Sequence, residues 1–279
     1  MLLLLHTITG TSREFVALAR AAAARGWRAV VLLRRGHLGV PLAAPRFNLL
    51  GCTEDMRAQV AAVRARLPGA PLLALGSSAG TGLLVRYLGE EGARAPIAAA
   101  VAICPGYDTG PGRAFSRFSA AMDAHILAAV KRFFLRPQNV ALLSGVRNFA
   151  AAAGARSIAA FQAAAYGLEG HASEEEMHAA RNPMGVAAAI RVPLCVINAA
   201  DDPVCTVQNV QDNAALFDAP HDRMLLLTAR GSHCTFYEGL LRPRGSWAER
   251  VALEYLDAVL ALRAEEKLAR AAEALPAEA

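Results

Sequence analysis

The chain has 279 residues, 54% hydrophobic and 19% charged, a balance that excludes a disordered segment and suits one large α/β domain with a substantial core. Its formal charge of +5 comes from scattered arginines rather than a basic block interleaved with aromatics, which argues against a nucleic-acid partner. No apolar stretch approaches the roughly 20 residues of a membrane-spanning helix.

Leu2 to Leu5 read as a buried strand rather than a signal peptide, since a charged n-region and a small-residue cleavage site are missing. The strand ends at the turn-forming His6-Thr7-Ile8-Thr9-Gly10. A helix over Arg13–Arg25 follows, capped by Ser12, with Phe15, Leu18, Ala19 and Ala22 on one face and Gly26 as its stop. Arg28–Leu33 is the next strand, and β, α, β within about 35 residues has the size of a crossover unit. Thr53 opens a helix with Glu54 and Asp55 in its first turn, where the helix dipole favours acids, running to about Leu67. Pro71–Leu75 is a short strand, Thr81–Leu88 a helix, and Pro96–Ile103 another continuous apolar strand.

Continuous apolar runs separated by helices predict a mostly parallel, doubly wound sheet covered on both faces. From Tyr107 to Arg191 the strand signal disappears into Ala-rich and aromatic helical segments, which predicts a helical cap insertion; the alternative is a set of ordinary crossover helices with long loops. Alternation resumes with a strand at Val192–Asn198, a helix at Val207–Leu216, a strand at Arg223–Thr228 and a final amphipathic helix from Trp247. The expected organisation is a first core part over 1–106, the cap over 107–191, a second core part over 192–263 and a charged, Ala-rich helical tail over 264–279.

Gly76-Ser77-Ser78-Ala79-Gly80 matches G-x-S-x-G between the Pro71 strand and the Thr81 helix, the strand-to-helix turn on which a nucleophile elbow depends. Asp202 and His233 fall at the ends of the next predicted strands, and ligands bind at that edge of an open parallel sheet. Ester cleavage needs a nucleophile, a base to take its proton and an acid to orient the base, and the order Ser78, Asp202, His233 supplies them. Either carboxylate of Asp201-Asp202 can face the histidine; Asp202, beside Pro203, is preferred. Backbone N–H groups of Ile8 and Ala79 are the candidates for an oxyanion hole. His6 is read as shaping that loop. Arg34 and Arg35 either hold the loop or form a salt bridge, and the salt bridge is preferred.

Metal and cofactor chemistry is not expected. Glu174, Glu175 and Glu176 between His171 and His178 read as a solvated helix rather than a metal site. Cys52, Cys104, Cys195, Cys205 and Cys234 show neither a C-x-x-C pair nor metal-ligand spacing and read as free, mostly buried thiols.

These motifs together resemble the YheT/EMB8 family of α/β-hydrolases, whose animal members are the ABHD1, ABHD2 and ABHD3 lipases and esterases. The resemblance covers nearly the whole chain. It rests on His6 to Gly10 against H-G-L-x-G, Arg35-Gly36 with Gly39 against R-G-x-x-G, and Thr53-Glu54-Asp55. Gly76 to Gly80, Asp201-Asp202-Pro203 and Gly231-Ser232-His233 complete it.

The resemblance implies that Ser78, Asp202 and His233 form the charge relay, and that the substrates are short- or medium-chain acyl esters, including acylglycerols. Acyl transfer to an alcohol on the same triad, or ligand binding without turnover, are the alternative functions. Thr7 stands where the family has glycine, so the loop must avoid a positive φ there or carry strain of about 1–2 kcal/mol. The usual N-terminal antiparallel strands are missing, as though the chain started inside the fold. The expected partner is a small-molecule acyl ester or lipid, and the compartment is cytoplasmic by default.

Overall fold

Six apolar runs form one parallel sheet whose strand order reverses beneath the site. The computed structural model describes residues 1–10, 12–37, 39–218, 223–239 and 245–273. The strands are β1 (Leu2–Leu5), β2 (Ala29–Leu32), β3 (Leu72–Ser77), β4 (Ile97–Ile103), β5 (Leu194–Ala199) and β6 (Arg223–Thr228), in spatial order β2-β1-β3-β4-β5-β6. Every neighbouring pair is parallel, with Leu5 opposite both Leu32 and Gly76. A separate antiparallel pair joins β7 (Tyr237–Glu238) to β8 (Gly245–Ser246).

Between β4 and β5, the described elements are helical with no strand, and they include α4 (Ala120–Phe134) and α9 (Glu174–Arg181) in the numbering that follows. In chain order the helices are α1 (Val16–Ala24), α2 (Thr53–Arg66), α3 (Ala79–Glu91), α4, α5 (Pro137–Leu143), α6 (Phe149–Gly154), α7 (Ile158–Ala164), α8 (Tyr166–Glu169), α9, α10 (Val207–Asp212) and α11 (Trp247–Glu273). The Ser12–Phe15 segment is a 3-10 turn leading into α1, so the first helix starts later than its periodicity predicts; the proposed Ser12 cap side chain lies outside the described residues. Likewise α10 ends at Asp212, and its predicted continuation tightens into a 3-10 turn over Ala214–Phe217.

Side chains alternate between the two faces of a strand, so a strand covered on both sides must be apolar throughout. That is why Leu2 to Leu5 are four consecutive leucines. Leu2 and Leu4 pack with Leu73 and Leu75 against Leu18 of α1 and Leu253 and Leu256 of α11. Leu3 and Leu5 pack with Leu72 and Ala74 against Met56 and Val60 of α2 and Leu84 and Leu88 of α3. All four are at most 1% exposed, and burying each contributes about 2 kcal/mol. The outer strands β2 and β6 are only half-buried.

The chain passes from β1 to β2 on one side and then crosses back to β3 on the other, so the carboxyl ends of β1 and β3 flank a point of reversal. Ligand crevices in open α/β sheets form there. The His6–Gly10 loop and Ser78 both leave the sheet at this point. Among the described residues no helix is long and apolar enough to cross a membrane.

Candidate active site

Ser78 occupies the residue between β3 and α3 with φ 49° and ψ −118°, a strained conformation that costs of order 1–3 kcal/mol. Its backbone is fixed from two sides. The Ser78 N–H donates to the Ile103 carbonyl at 2.9 Å, and the Ser78 carbonyl accepts from the Thr81 N–H at 2.9 Å. The two glycines of the motif have separate tasks. A Cβ on Gly76 would lie 2.9 Å from the Gly80 and Thr81 backbone, and a Cβ on Gly80 would lie 2.2 Å from the Leu5 carbonyl oxygen. Gly76 therefore lets α3 close onto its own strand, and Gly80 lets α3 close onto β1. Among the described residues, six of the seven non-glycine positions with positive φ, Ser78, Cys104, Tyr107, Ser232, Cys234 and Phe236, lie at or just beyond the carboxyl edge of the sheet or in the loop that carries His233.

The three residues singled out by their strand-end positions come together. His233 Nε2 is 2.8 Å from Ser78 Oγ, and His233 Nδ1 is 2.9 Å and 3.1 Å from the Asp202 carboxylate oxygens. The Asp202 side chain is fully buried and the His233 side chain 21% exposed. Asp202 Oδ1 also accepts from the Val204 and Cys205 N–H groups, each at 2.8 Å, which fixes the orientation of the carboxylate. Its neighbour Asp201 does something else: its Oδ1 accepts from the N–H groups of Gly231 and Ser232 at 2.9 and 2.8 Å and so pins the loop that carries His233. Burial opposes charging of the His233 imidazole, but the Cys234 and Cys205 sulfurs and the Asp202 carboxylate outweigh it and hold the pKa well above the ordinary histidine value.

Ile8 lines the same pocket as Ser78 and Ala79. Ala79 is the first residue of α3, where a helix N–H has no intrahelical acceptor. Thr7 is not among the positive-φ residues, so the departure from glycine carries no backbone strain. Its N–H donates to Glu14 Oε1 at 3.0 Å and its hydroxyl to Glu14 Oε2 at 3.1 Å. A Cβ on Gly10 would lie 1.9 Å from Glu14 Oε2, so this carboxylate reaches Thr7 only because residue 10 is glycine. Burial raises the Glu14 pKa, against the opposing pull of its two Thr7 contacts and of Arg34.

Arg34 secures the same loop from below, donating to the His6 carbonyl at 3.0 Å and to the Thr7 carbonyl. It is 4% exposed, and burial pulls its pKa down to about 9. His6 is buried beside it; burial and the adjacent guanidinium push its pKa down to about 3, so it is a neutral part of the scaffold. The two arginines thus divide the roles considered for them, since Arg35 forms the salt bridge, to Asp55 through Nε at 2.7 Å and through Nη2.

The pocket over Ser78 opens to solvent, spans about 630 Å³ with the solvent at its mouth included, and is largely apolar, with Leu50, Phe115, Phe118, Ile126 and Val204 in its wall. Sequence patterning does not reveal that Arg86 and Arg181 also reach it. Arg86 donates to the Gly51 carbonyl at 2.6 Å, and Arg181 pairs with the buried Glu169 at 3.2 Å and donates to Gln162 Oε1 at 2.7 Å. Glu174 and Glu176 belong to the exposed first turn of α9: Ser173 caps it, Glu176 accepts from the Ala172 N–H at 2.7 Å, and Glu174 Oε1 lies 3.2 Å from His178 Nε2. Ser173 and Glu176 thus cap the start of α9 reciprocally, with the return bond one residue before the cap, and Glu174 is engaged by His178.

A doubly wound parallel sheet with a serine on a strained turn, hydrogen-bonded through histidine to a buried aspartate, defines the class of α/β-hydrolases. The chain belongs to the Hydrolase_4 family, described as serine aminopeptidase S33, whose model matches residues 1–239. It is 30% identical over 266 residues to human protein ABHD15, covering 92% of this chain and 54% of that protein. It is 27% identical over 272 residues to mouse phospholipase ABHD3, covering 93% of this chain and 64% of that one. The chain therefore spans about half to two-thirds of the length of these curated relatives. Its fold is also that of a solved monoacylglycerol lipase from Paleococcus ferrophilus, with a TM-score of 0.54 at 15% identity and 93% of each chain covered.

Proposed function

We propose that this chain hydrolyses carboxylic esters of short- or medium-chain acids, acylglycerols among them, through an acyl-enzyme on Ser78. The observation that carries the reading is the hydrogen-bonded series Ser78, His233, Asp202 opening into an apolar pocket. Names of relatives such as phospholipase ABHD3 and monoacylglycerol lipase ABHD2 support a lipid-like ester as the substrate class.

In this mechanism His233 Nε2 takes the proton of Ser78 Oγ as that oxygen attacks the ester carbonyl. Asp202 keeps the Nδ1 proton in place and stabilises the imidazolium that forms. The N–H groups of Ile8 and Ala79 receive the developing oxyanion, where two aligned donors contribute about 3–4 kcal/mol each. Collapse expels the alcohol, which leaves with the proton held on His233 Nε2. Water then enters, gives a proton to the same nitrogen as it attacks the acyl carbon, and the Ser78 Oγ–acyl bond breaks to release the acid as His233 Nε2 returns that proton to Ser78 Oγ. The helices over 107–191 act as a cap on the core formed by 1–106 and 192–263, with 264–273 of α11 as a helical tail; the remainder of the expected tail, 274–279, lies outside the described residues. Their Phe115, Phe118 and Ile126 form the apolar wall against which the acyl chain lies.

The test is labelling of the purified protein with a fluorophosphonate beside Ser78→Ala, with p-nitrophenyl butyrate and octanoate turnover read in parallel. Labelling and turnover that disappear together in the variant support the reading, and the two esters rank acyl length. A folded wild-type protein that neither labels nor turns over ester overturns it.

A further inference from the structure

Cys104 lies just past β4 and Cys234 follows His233 in its loop, 130 positions later in the chain. The fold closes that gap. The Cys234 N–H points at Cys104 Sγ, 3.4 Å away, and Cys104 Sγ, Cys234 Sγ and a His233 ring nitrogen all lie within 4.8 Å of one another. We propose that these three side chains form a site for a thiophilic divalent cation, zinc above all, and that filling it shuts off the serine.

The donor set selects the ion. Two thiolates and an imidazole suit zinc and its soft neighbours, whereas magnesium and calcium demand oxygen. With metal–sulfur bonds of about 2.3 Å and metal–nitrogen bonds of about 2.0 Å, tetrahedral ligands stand roughly 3.5–3.8 Å apart. The present trio, within 4.8 Å of one another, needs to contract by at most about 1.3 Å. Each thiol loses a proton on binding, and water fills the fourth position. His233 and Cys234 are only partly buried, so the ion has a route in, while Cys104 is buried behind them. The other trio at this histidine, Asp202 with Cys205, is the poorer one, because Asp202 Oδ1 already accepts two backbone N–H groups.

Inhibition follows from which lone pair is used. His233 Nε2 faces Ser78 and Nδ1 faces Asp202, so both ring nitrogens are engaged. Coordination through Nε2 removes the base directly. Coordination through Nδ1 leaves a proton on Nε2, which then cannot accept one from the serine. This consequence rests on the ester-hydrolase reading; the cation site itself does not.

The experiment therefore has three readouts on reduced protein. Cobalt(II) added to the wild type should give the near-ultraviolet thiolate-to-metal charge-transfer band, and Cys104→Ser and Cys234→Ser should each lose most of it. Zinc should inhibit p-nitrophenyl butyrate turnover reversibly, with EDTA restoring activity, and each substitution should weaken that inhibition by roughly tenfold or more. Cys52→Ser, outside both trios, should leave both unchanged. Zinc protection of Cys234 from iodoacetamide, read by mass spectrometry on the wild-type chain, needs no variant to fold. Absence of the band and of protection in the wild type overturns the proposal, as does zinc inhibition of equal strength in both cysteine variants. A band with no esterase activity at all leaves the cation site standing and sinks the hydrolase reading instead.

Discussion

Glu14 holds Thr7 with both carboxylate oxygens, one on the backbone N–H and the other on the hydroxyl. The loop carrying the proposed oxyanion donor Ile8 is thereby tied from the side by an acid in the turn that leads into α1 and from below by Arg34. Glu14→Ala removes both side contacts without touching the pocket. We expect kcat for p-nitrophenyl butyrate to fall about tenfold, equivalent to about 1.4 kcal/mol, with KM nearly unchanged. A rise confined to KM would show that the loop positions substrate rather than charge.

The two adjacent aspartates separate cleanly by variant. Asp202→Asn should lower kcat by roughly 10³–10⁴, since the amide stabilises the wrong imidazole tautomer. Asp201→Asn keeps one acceptor for the Gly231 and Ser232 N–H groups, so activity should fall less than about tenfold while the melting temperature drops by a few degrees, on the order of 1 kcal/mol. Steady-state kinetics and thermal melts of the pair check this, and a reversed order would reassign the acid.

The pH profile follows from the state of His233. It must be neutral to take the Ser78 proton, and its pKa is held well above the ordinary 6.5. Below that raised pKa the imidazolium dominates and the base is absent. The acidic limb of kcat/KM should therefore have its midpoint above pH 6.5, with activity rising as pH increases through it. Asp202→Asn, which removes an anion, should move that midpoint down. A wild-type midpoint below 6.5 would contradict the arrangement.

Gly80→Ala is expected to fail at the level of the fold. The added methyl would meet the Leu5 and His6 carbonyls, which are backbone and cannot rotate away. Destabilisation of about 3 kcal/mol or more should appear as a melting temperature lowered by over about 5 °C, or as insoluble protein. Gly69→Ala is the contrast: no atom lies within 4 Å of the new Cβ, so only its positive φ is strained, at about 1 kcal/mol.

The sheet was legible because a strand buried on both faces must be apolar at every position, and Leu2–Leu5 and Ile97–Ile103 meet that condition. Ser78 was legible because the elbow requires small residues at fixed offsets. The sequence favours Asp202 over Asp201 only through its neighbour Pro203, since adjacent side chains leave a strand end in opposite directions and the position of the His233 loop is what distinguishes them. Glu14 escaped notice because its contact is made through space that Gly10 leaves empty. A glycine four residues before an acid is too common a pattern to signal it. Arg86 and Arg181 escaped because a lone arginine on a helix resembles a surface residue until its burial is known.

The closeness of Gly80 to the Leu5 carbonyl has one more consequence. The serine and the loop expected to receive the oxyanion are registered to each other main chain to main chain, with no side chain between them. The distance over which the reaction occurs is thus set by parts of the molecule that substitution scarcely alters. Leu50, Phe115, Phe118 and Ile126 belong to a different layer, and exchanging them would change which acids are admitted while leaving that distance alone. Selectivity in this scaffold is free to drift while reactivity stays put.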